Sequence, residues 1–295
     1  MAKIKIYTHE GIFHADEVTA CALIKCFYAK DEDEVYIERV NHNKFTGKEL
    51  KELGLKTADE VFIVDVGRDH NAAQLMFDHH QWGSENGLAA AGLVYKWLKE
   101  QNLIPRFIIP ELDKIINIVD LHDVGQRKAL PGELPYIVSK YNAEDPYGKE
   151  QVNNFNTAVN IVYKVFSSLK RKGEKLPEIE NRILNESTFI DDLTKQTNKG
   201  DPNRVLEFSK GFIPFWNEVL PVLKRPYTMV DIVIWYDEKR DTWKAQTVPT
   251  IPGDFDKRGR ILIDKDVPGK IFINKNGFFA VFDTKENLVN YLKSL

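Results

Sequence analysis

Apolar and polar residues alternate along "KIKIY" at the start of "KIKIYTH" (3–9), and "EVYIERV" (34–40) and "EVFIVDVG" (60–67) read as further strands. A period of two predicts β-strands packed on a core. A shorter apolar run in "LMFDHH" (75–80) predicts a fourth strand. Between these runs the apolar positions recur at helical spacing, in "DEVTACALIKCFYAK" (16–30), "KFTGKELKELG" (44–54) and "AAAGLVYKWLKE" (89–100). Strands interleaved with helices predict an α/β unit with a mostly parallel sheet flanked by helices. Ligands of such sheets sit beyond the carboxyl ends of the strands.

From Pro110 the pattern turns helical: "ELDKIINIVDLHD" (111–123), "VNNFNTAVNIVYKVFSSLKRK" (152–172) and a charged helix near 177–197. The Gly, Pro, Asn and Asp of "TNKGDPN" (197–203) predict a linker. Beyond it, a short helix at 203–210 is followed by strands "MVDIVIWY", "WKAQTV", "KIFIN" and "GFFAVF" and the helix "KENLVNYLKSL". The expected organisation is therefore a first domain over 1–196, including a helical extension, and a smaller α+β domain over 204–295.

Composition narrows the class only slightly. A net charge of -3 supplies no global attraction to nucleic acid, although a local basic groove remains compatible with it. The two cysteines, Cys21 and Cys26, lie five apart in one predicted helix, poorly placed to pair or to form a metal set, which fits a reducing compartment. No apolar run reaches the length of a membrane span, and a strand beginning at Ile4 leaves no room for a cleavable leader, so a cytoplasmic protein is expected.

The candidate chemistry gathers at strand ends. The first predicted strand ends in His9, "VFIVD" in Asp65, and "LMFD" in Asp78, His79 and His80. Parallel strands bring these residues to one sheet edge, together with His14 and Asp16 of the first loop. Five of the seven histidines fall in three short segments that also hold acids. Imidazole and carboxylate ligands without thiolates suit Mn²⁺, Zn²⁺ or Fe²⁺, with Mg²⁺ at a more oxygen-rich position. Two such ions would share a bridging carboxylate, for which central Asp65 is the candidate, and would activate a water for in-line attack on phosphorus. Asp120 and Asp123, three apart at a helix end, are both placed to complete the second ion's shell. Each residue also has a structural role available: Asp16 as a helix cap, Glu17 as a partner of the helix dipole, His70 and His122 as surface or structural residues.

"FDHHQ" (77–81) resembles the DHH phosphoesterase superfamily, which includes RecJ-type nucleases, oligoribonucleases and family II pyrophosphatases. In order, "THEGIFHADEVTACALI", "VDVG", "FDHHQ", "AAGLVY" and "VDLHDVG" resemble the N-terminal motifs of the Myg family, and "WKAQTVP", "VPGKIFI" and "NGFFAVF" continue the similarity. The resemblance implies a DHH-type N-terminal domain and a 3′-to-5′ exonuclease acting on RNA or short oligonucleotides. It implies that His9, His14 and Asp65 surround one metal and Asp16, Asp65 and His79 the other, with Asp120 or Asp123 completing the second. Asp78 would orient an imidazole and His80 would face the scissile phosphate. The spacing H-x4-H-x-D follows the Myg form rather than the H-x3-D-x-D of the pyrophosphatases, so one imidazole stands for a carboxylate and makes that position less anionic.

In the C-terminal half, "KNGFFAVFDT" lacks the His or Arg that related nucleases carry beside a glycine-rich loop. Lys257, Arg258 and Arg260 in "DKRGR" are the candidate phosphate-holding residues, while Phe278 and Phe279 read as core. Trp216 and Trp243 read as anchors of the core or of a domain interface. A small-nucleotide phosphoesterase and a non-catalytic nucleic-acid or metabolite binder are the alternatives; nothing beyond a metal site suggests amide hydrolysis.

Overall fold

The computed structural model describes residues 1–82, 87–190, 204–251 and 262–295. The expected linker (197–203) and the cations Lys257, Arg258 and Arg260 lie outside the described residues. Two compact units are present, Met1–Gly173 and Glu174–Leu295.

The first unit contains strands β1 (Lys3–His9), β2 (Glu34–Val40), β3 (Glu60–Val64), β4 (His70–Asn71) and β5 (Met76–Phe77). Its helices are α1 (Ala15–Leu23), α2 (Gly47–Gly54), α3 (Ala90–Glu100), α4 (Ile109–Asp123), α5 (Leu134–Ser139) and the start of α6 (Lys149–Asn185). The sheet order is β2-β1-β3-β5-β4, parallel except for β4. Because β1 pairs with β2 on one side and β3 on the other, the chain reverses its direction of travel across the sheet between β1 and β3. That is the place where open α/β sheets bind ligands.

Alternation in the sequence becomes two separate cores. Ile4, Ile6, Phe62 and Val64 pack under α1 and α3, whereas Tyr7, Val61 and Ile63 pack on the opposite face with Leu50 of α2. All nine residues of α1 are buried, so that helix shows no solvent stripe. Its continuation, Ile24–Tyr28, widens into a π-helical turn, so the predicted helix over 16–30 forms in two parts.

Three local expectations are corrected. The strand expected over 75–80 is only Met76–Phe77, because Leu75 has a left-handed φ of 58° before it and Asp78 turns away to bond the neighbouring loop. Two helices expected on either side of Pro177 form one helix, α6. Proline removes only the bond to the carbonyl four residues earlier, Gly173, and helical geometry continues through that gap. The short helix expected at 203–210 is instead a strand, Arg204–Phe208. "VLEF" buries Val205 on one face and Leu206 and Phe208 on the other, a two-sided burial that a one-sided helical reading misses.

That strand belongs to the second unit, whose strands are β6 (Ser187–Phe189), β7 (Arg204–Phe208), β8 (Val230–Asp237), β9 (Thr242–Thr247), β10 (Lys270–Ile273) and β11 (Phe279–Phe282). They run in the order β10-β11-β9-β8-β7-β6, antiparallel apart from β7 and β8. Helices α7 (Trp216–Val219) and α8 (Lys285–Lys293) complete an α+β unit. Leu288, Tyr291 and Leu292 of α8 cover Val205, Ile232, Ile234, Ala245, Ala280 and Phe282. Trp216 is buried beside Phe208, while Phe278 and Phe279 are half-buried. Among the described residues, no helix is long and apolar enough to cross a membrane.

The turn after β3 is the tightest backbone approach near the strand ends. Gly67 has φ +92°, and a Cβ there would lie 2.6 Å from the Gly47 nitrogen at the start of α2. Both the left-handed backbone and the clash penalise any side chain. Gly67→Ala is expected to destabilise the protein by roughly 2 kcal/mol or more in urea unfolding. A loss below about 0.5 kcal/mol would show that the turn yields freely.

Candidate metal centre

The first loop is fixed before any ligand is considered. β1 stops at His9, and α1 starts at Ala15 with His14 as its N-cap. Between them, Arg39 of β2 donates from Nε to the His9 carbonyl (3.0 Å) and from Nη2 to the Gly11 carbonyl (3.0 Å). Its guanidinium lies 4.6 Å from the Phe155 ring centre and 5.5 Å from that of Phe13. Gln151, fully buried, donates to the same Gly11 carbonyl at 2.8 Å, and Asn142 exchanges two hydrogen bonds with the backbone of Phe13. The loop carrying His9 and His14 therefore has its backbone polar groups tied to residues far along the chain.

The other ligand-bearing turns are equally constrained. Asp65 leaves β3 with φ +55°, an uncommon conformation that aspartate tolerates, and its N–H bonds the Phe77 carbonyl at 3.0 Å. Asp78, 1% exposed, accepts from the Arg68 N–H (2.7 Å) and the His80 N–H (2.9 Å) and meets His80 Nδ1 at 2.8 Å. That contact orients the His80 ring.

Two carboxylates cap α3. Asp16 accepts from the Ala90 and Ala91 N–H groups at 3.1 and 2.6 Å, and Asp120 from those of Ala89 and Gly92 at 3.2 and 3.0 Å. The N–H groups that no helix can satisfy internally are thereby paired. The small residues of "AAAG" make this possible: a Cβ on Gly92 would sit 2.1 Å from Asp120 Oδ2.

Around the cleft, the carboxylate of Asp65 faces imidazoles on both sides. Its Oδ2 is 3.3 Å from His9 Nε2; its Oδ1 is 3.3 Å from His79 Nε2 and 3.4 Å from His80 Nδ1. His79 Nε2 also lies 3.2 Å from Asp123 Oδ2 and 3.7 Å from Asp16 Oδ2. Three sets have ligand atoms close enough to share a cation: His9, His14 and Glu17; Asp65, His79 and His80; Asp16, His79 and Asp123. Of the predicted residues, His9, His14, Asp16, Asp65, His79, His80 and Asp123 thus come together, and Asp78 supports them. Asp120 is outside these sets and is occupied at the start of α3. Glu17 is the addition that sequence reasoning treated as a partner of the helix dipole. Its place after His9 and His14 in "HEGIFHADE" was the available signal. The roles of Arg39, Asn142 and Gln151 had no sequence signal.

Every carboxylate buried among the described residues, namely Asp16, Glu17, Asp65, Asp78 and Asp120, belongs to this edge. Burial opposes protonation of His9, but the Glu17 and Asp65 carboxylates overcome it and raise its pKa to about 11. His79 is likewise raised to about 11 against burial, by Asp123, Asp65 and Asp16. Burial also opposes ionisation of Asp65, yet His79 and His9 hold its carboxyl far below the usual range. Asp16 is pushed well above that range by burial and by the charges of Asp123 and Asp65. Burial raises Asp120 to about 7 despite its two backbone hydrogen bonds. So dense a set of buried acids requires positive charge.

The donor set fits a divalent cation. Asp65 Oδ1 and His79 Nε2 are both buried without a hydrogen-bond partner, although they lie 3.3 Å apart. His9 Nδ1 lies 2.9 Å from the Glu10 carbonyl, which can only accept, so Nδ1 donates there and Nε2 turns to Glu17 and Asp65. Acceptor atoms converging in this way are the arrangement a metal ion satisfies. The cluster opens on a cavity of about 580 Å³ that also takes in His42, Arg68 and Tyr147.

An α/β sheet with imidazoles and carboxylates gathered at its switch point defines a candidate metal-binding protein. The chain belongs to the MYG1_exonuc family, described as an uncharacterised protein family (UPF0160), whose sequence model matches residues 5–294. The MYG1 exonuclease of Mus musculus is 26% identical over 348 residues, covering 100% of this chain and 85% of that protein. The MYG1 protein of Chlamydia muridarum (strain MoPn / Nigg) is 24% identical over 296 residues, covering 95% of this chain and 92% of its own. Among solved structures, an uncharacterised protein from Helicobacter pylori G27 aligns with a TM-score of 0.35 and 11% identity over 99% of this chain and 97% of that one. Exonuclease RecJ bound to manganese aligns with a TM-score of 0.32 and 12% identity over 99% of this chain and 88% of its own.

Chelator-treated protein carries a signed pH dependence. Because His9 and His79 rise from 6.5 to about 11 on folding, their contribution is complete below about pH 6.5 and is lost as pH rises toward 11. Its melting temperature is expected to fall across that window. A flat or rising profile would contradict the ion pairing described here.

Proposed function

We propose that this protein is a cytoplasmic, metal-dependent phosphodiesterase that shortens RNA or short oligonucleotides from the 3′ end. The observation that carries the reading is the position of Asp65, whose two oxygens face separate imidazoles while one of them lacks any hydrogen-bond partner. Membership of a family whose mouse relative is named an exonuclease supports the same class.

In this reading His9, His14 and Asp65 hold one ion, and Asp16, Asp65, His79 and Asp123 a second, Mn²⁺ or else Mg²⁺, Zn²⁺ or Fe²⁺. When bound, such cations supply Lewis acidity toward phosphoryl oxygens and lower the pKa of water. Asp78 fixes the His80 ring through its 2.8 Å contact and raises its pKa, which favours His80 as an N–H donor to the phosphate that gathers charge in the transition state. Asp120 takes no part in ligation and holds the start of α3. The C-terminal α+β unit holds the substrate strand, with Lys257, Arg258 and Arg260 contributing phosphate contacts.

The test is hydrolysis of a 3′-accessible RNA oligonucleotide by chelator-treated protein with each metal added back. Stepwise loss of single nucleotides is expected, reduced at least about 100-fold in Asp65→Asn. Cleavage confined to dinucleotides would move the assignment to a small-nucleotide phosphoesterase, and unimpaired Asp65→Asn would remove this site from catalysis. Asp123→Asn is expected to lose activity by a similar factor, whereas Asp120→Ala retains activity and loses about 1 kcal/mol of stability through the cap of α3. The opposite ranking in paired rate and denaturation measurements would exchange the two assignments.

A further inference from the structure

Two helices of the first unit begin with the same local device, and only one of them needs it buried. In α2, Glu49 at the third helical position accepts from the N–H of Thr46, the N-cap, at 2.8 Å. In α1, Glu17 at the same position accepts from the N–H of His14 at 3.0 Å. This reciprocal capping works in water, as exposed Glu49 demonstrates. Glu17 is 0% exposed, and burying a carboxylate is costly unless a partner compensates it. Capping therefore accounts for the hydrogen bond of Glu17 and leaves its burial unexplained.

The compensation lies on the other side of the carboxylate. Glu17 Oε1 is 2.9 Å from His9 Nε2, the atom left facing the cleft once Nδ1 donates to the Glu10 carbonyl. Asp65 Oδ2 approaches the same nitrogen at 3.3 Å. In the metal-free protein the imidazolium itself compensates these oxygens, and a cation that displaces its Nε2 proton would meet one nitrogen and two carboxylate oxygens already gathered around it. His14 completes the set, with one potential ligand atom from each of His9, His14 and Glu17 mutually within 4.8 Å. On the far side of the same carboxylate, Asp65 Oδ1 is buried without a hydrogen-bond partner beside His79 and His80, which points to a cation in the adjoining part of the cleft.

We propose that Glu17 is a direct ligand of the first cation beside His9, His14 and Asp65, an assignment that rests on the metal centre argued above. His9 and His14 are neutral as ligands, so with the Asp65 carboxylate alone this position is one negative charge short of a divalent ion. Glu17 supplies it. Two carboxylates and two neutral imidazoles balance a divalent ion, and the mixed set favours Mn²⁺, Fe²⁺ or Zn²⁺ over Mg²⁺.

Mn²⁺ titration of the chelator-treated protein, followed by the electron paramagnetic resonance of free Mn²⁺, separates ligation from capping without reference to hydrolysis. Glu17→Gln is expected to weaken the first site at least about tenfold. Glu49→Gln, which makes the same neutralising change at the equivalent exposed cap, is expected to leave binding unchanged. Native Mn²⁺ affinity and stoichiometry in folded Glu17→Gln would overturn the assignment. Should that variant not fold, Glu17→Asp replaces it: altered Co²⁺ d–d absorption is expected from the shortened carboxylate, and a native Co²⁺ spectrum would overturn the proposal. Neither readout depends on the substrate, so the loss of this assignment and the loss of the nuclease reading are distinct results.

Discussion

Electrostatic compensation at one sheet edge is the constraint around which the first unit is organised. Asp16, Glu17, Asp65, Asp78 and Asp120 are all withdrawn from water within a few turns of backbone. Carboxylates in such surroundings survive only with hydrogen bonds and opposite charge. The protein supplies both, in different proportions for each residue. Asp16 and Asp120 receive backbone N–H groups at the start of α3, Asp78 receives those of Arg68 and His80, and Asp65 is left to the imidazoles. The acid with the fewest hydrogen bonds is thus the one at the centre.

Packing serves that arrangement. A parallel sheet with helices on both faces needs buried strands, and the alternation of Ile4, Ile6, Phe62 and Val64 against Tyr7, Val61 and Ile63 provides two apolar faces. The same strand directions deliver His9, Asp65 and Asp78 to one edge. Small residues at the start of α3 let two carboxylates close on its amide groups, so a composition that looks featureless is a requirement of the site. The π-helical widening of Ile24–Tyr28 follows directly after α1, whose first turn holds Asp16 and Glu17.

Much of this could be read from the chain before the structure was known, for identifiable reasons. The strands over 3–9, 34–40 and 60–67 are legible because their β-branched and apolar runs are short and flanked by helical spacing, β3 being buried on both faces while β2 lies at the sheet edge. Convergence of His9, Asp65, His79 and Asp123 followed from strand direction and helix ends. What could not be read depends on contacts between distant residues. "RVLEF" forms β7 because β8 lies alongside it, and its short apolar run carries no period to announce that. Asp120 and Asp123 differ only in which neighbour each meets: the amides of α3 in one case, His79 in the other. Glu17 read as a partner of the helix dipole; it caps α1 through the His14 N–H, and only its burial distinguishes it from Glu49.

The loop between His9 and His14 extends that dependence along the whole unit. Its carbonyls are held by Arg39 and Gln151 and its Phe13 backbone by Asn142. All the candidate metal ligands lie within the first 123 residues. A chain ending there would still contain each of them, yet it would lack both the Asn142 and Gln151 contacts and the Phe155 ring beside Arg39. The smallest polypeptide able to present this site is therefore set by α6, whose residues contribute no ligand at all.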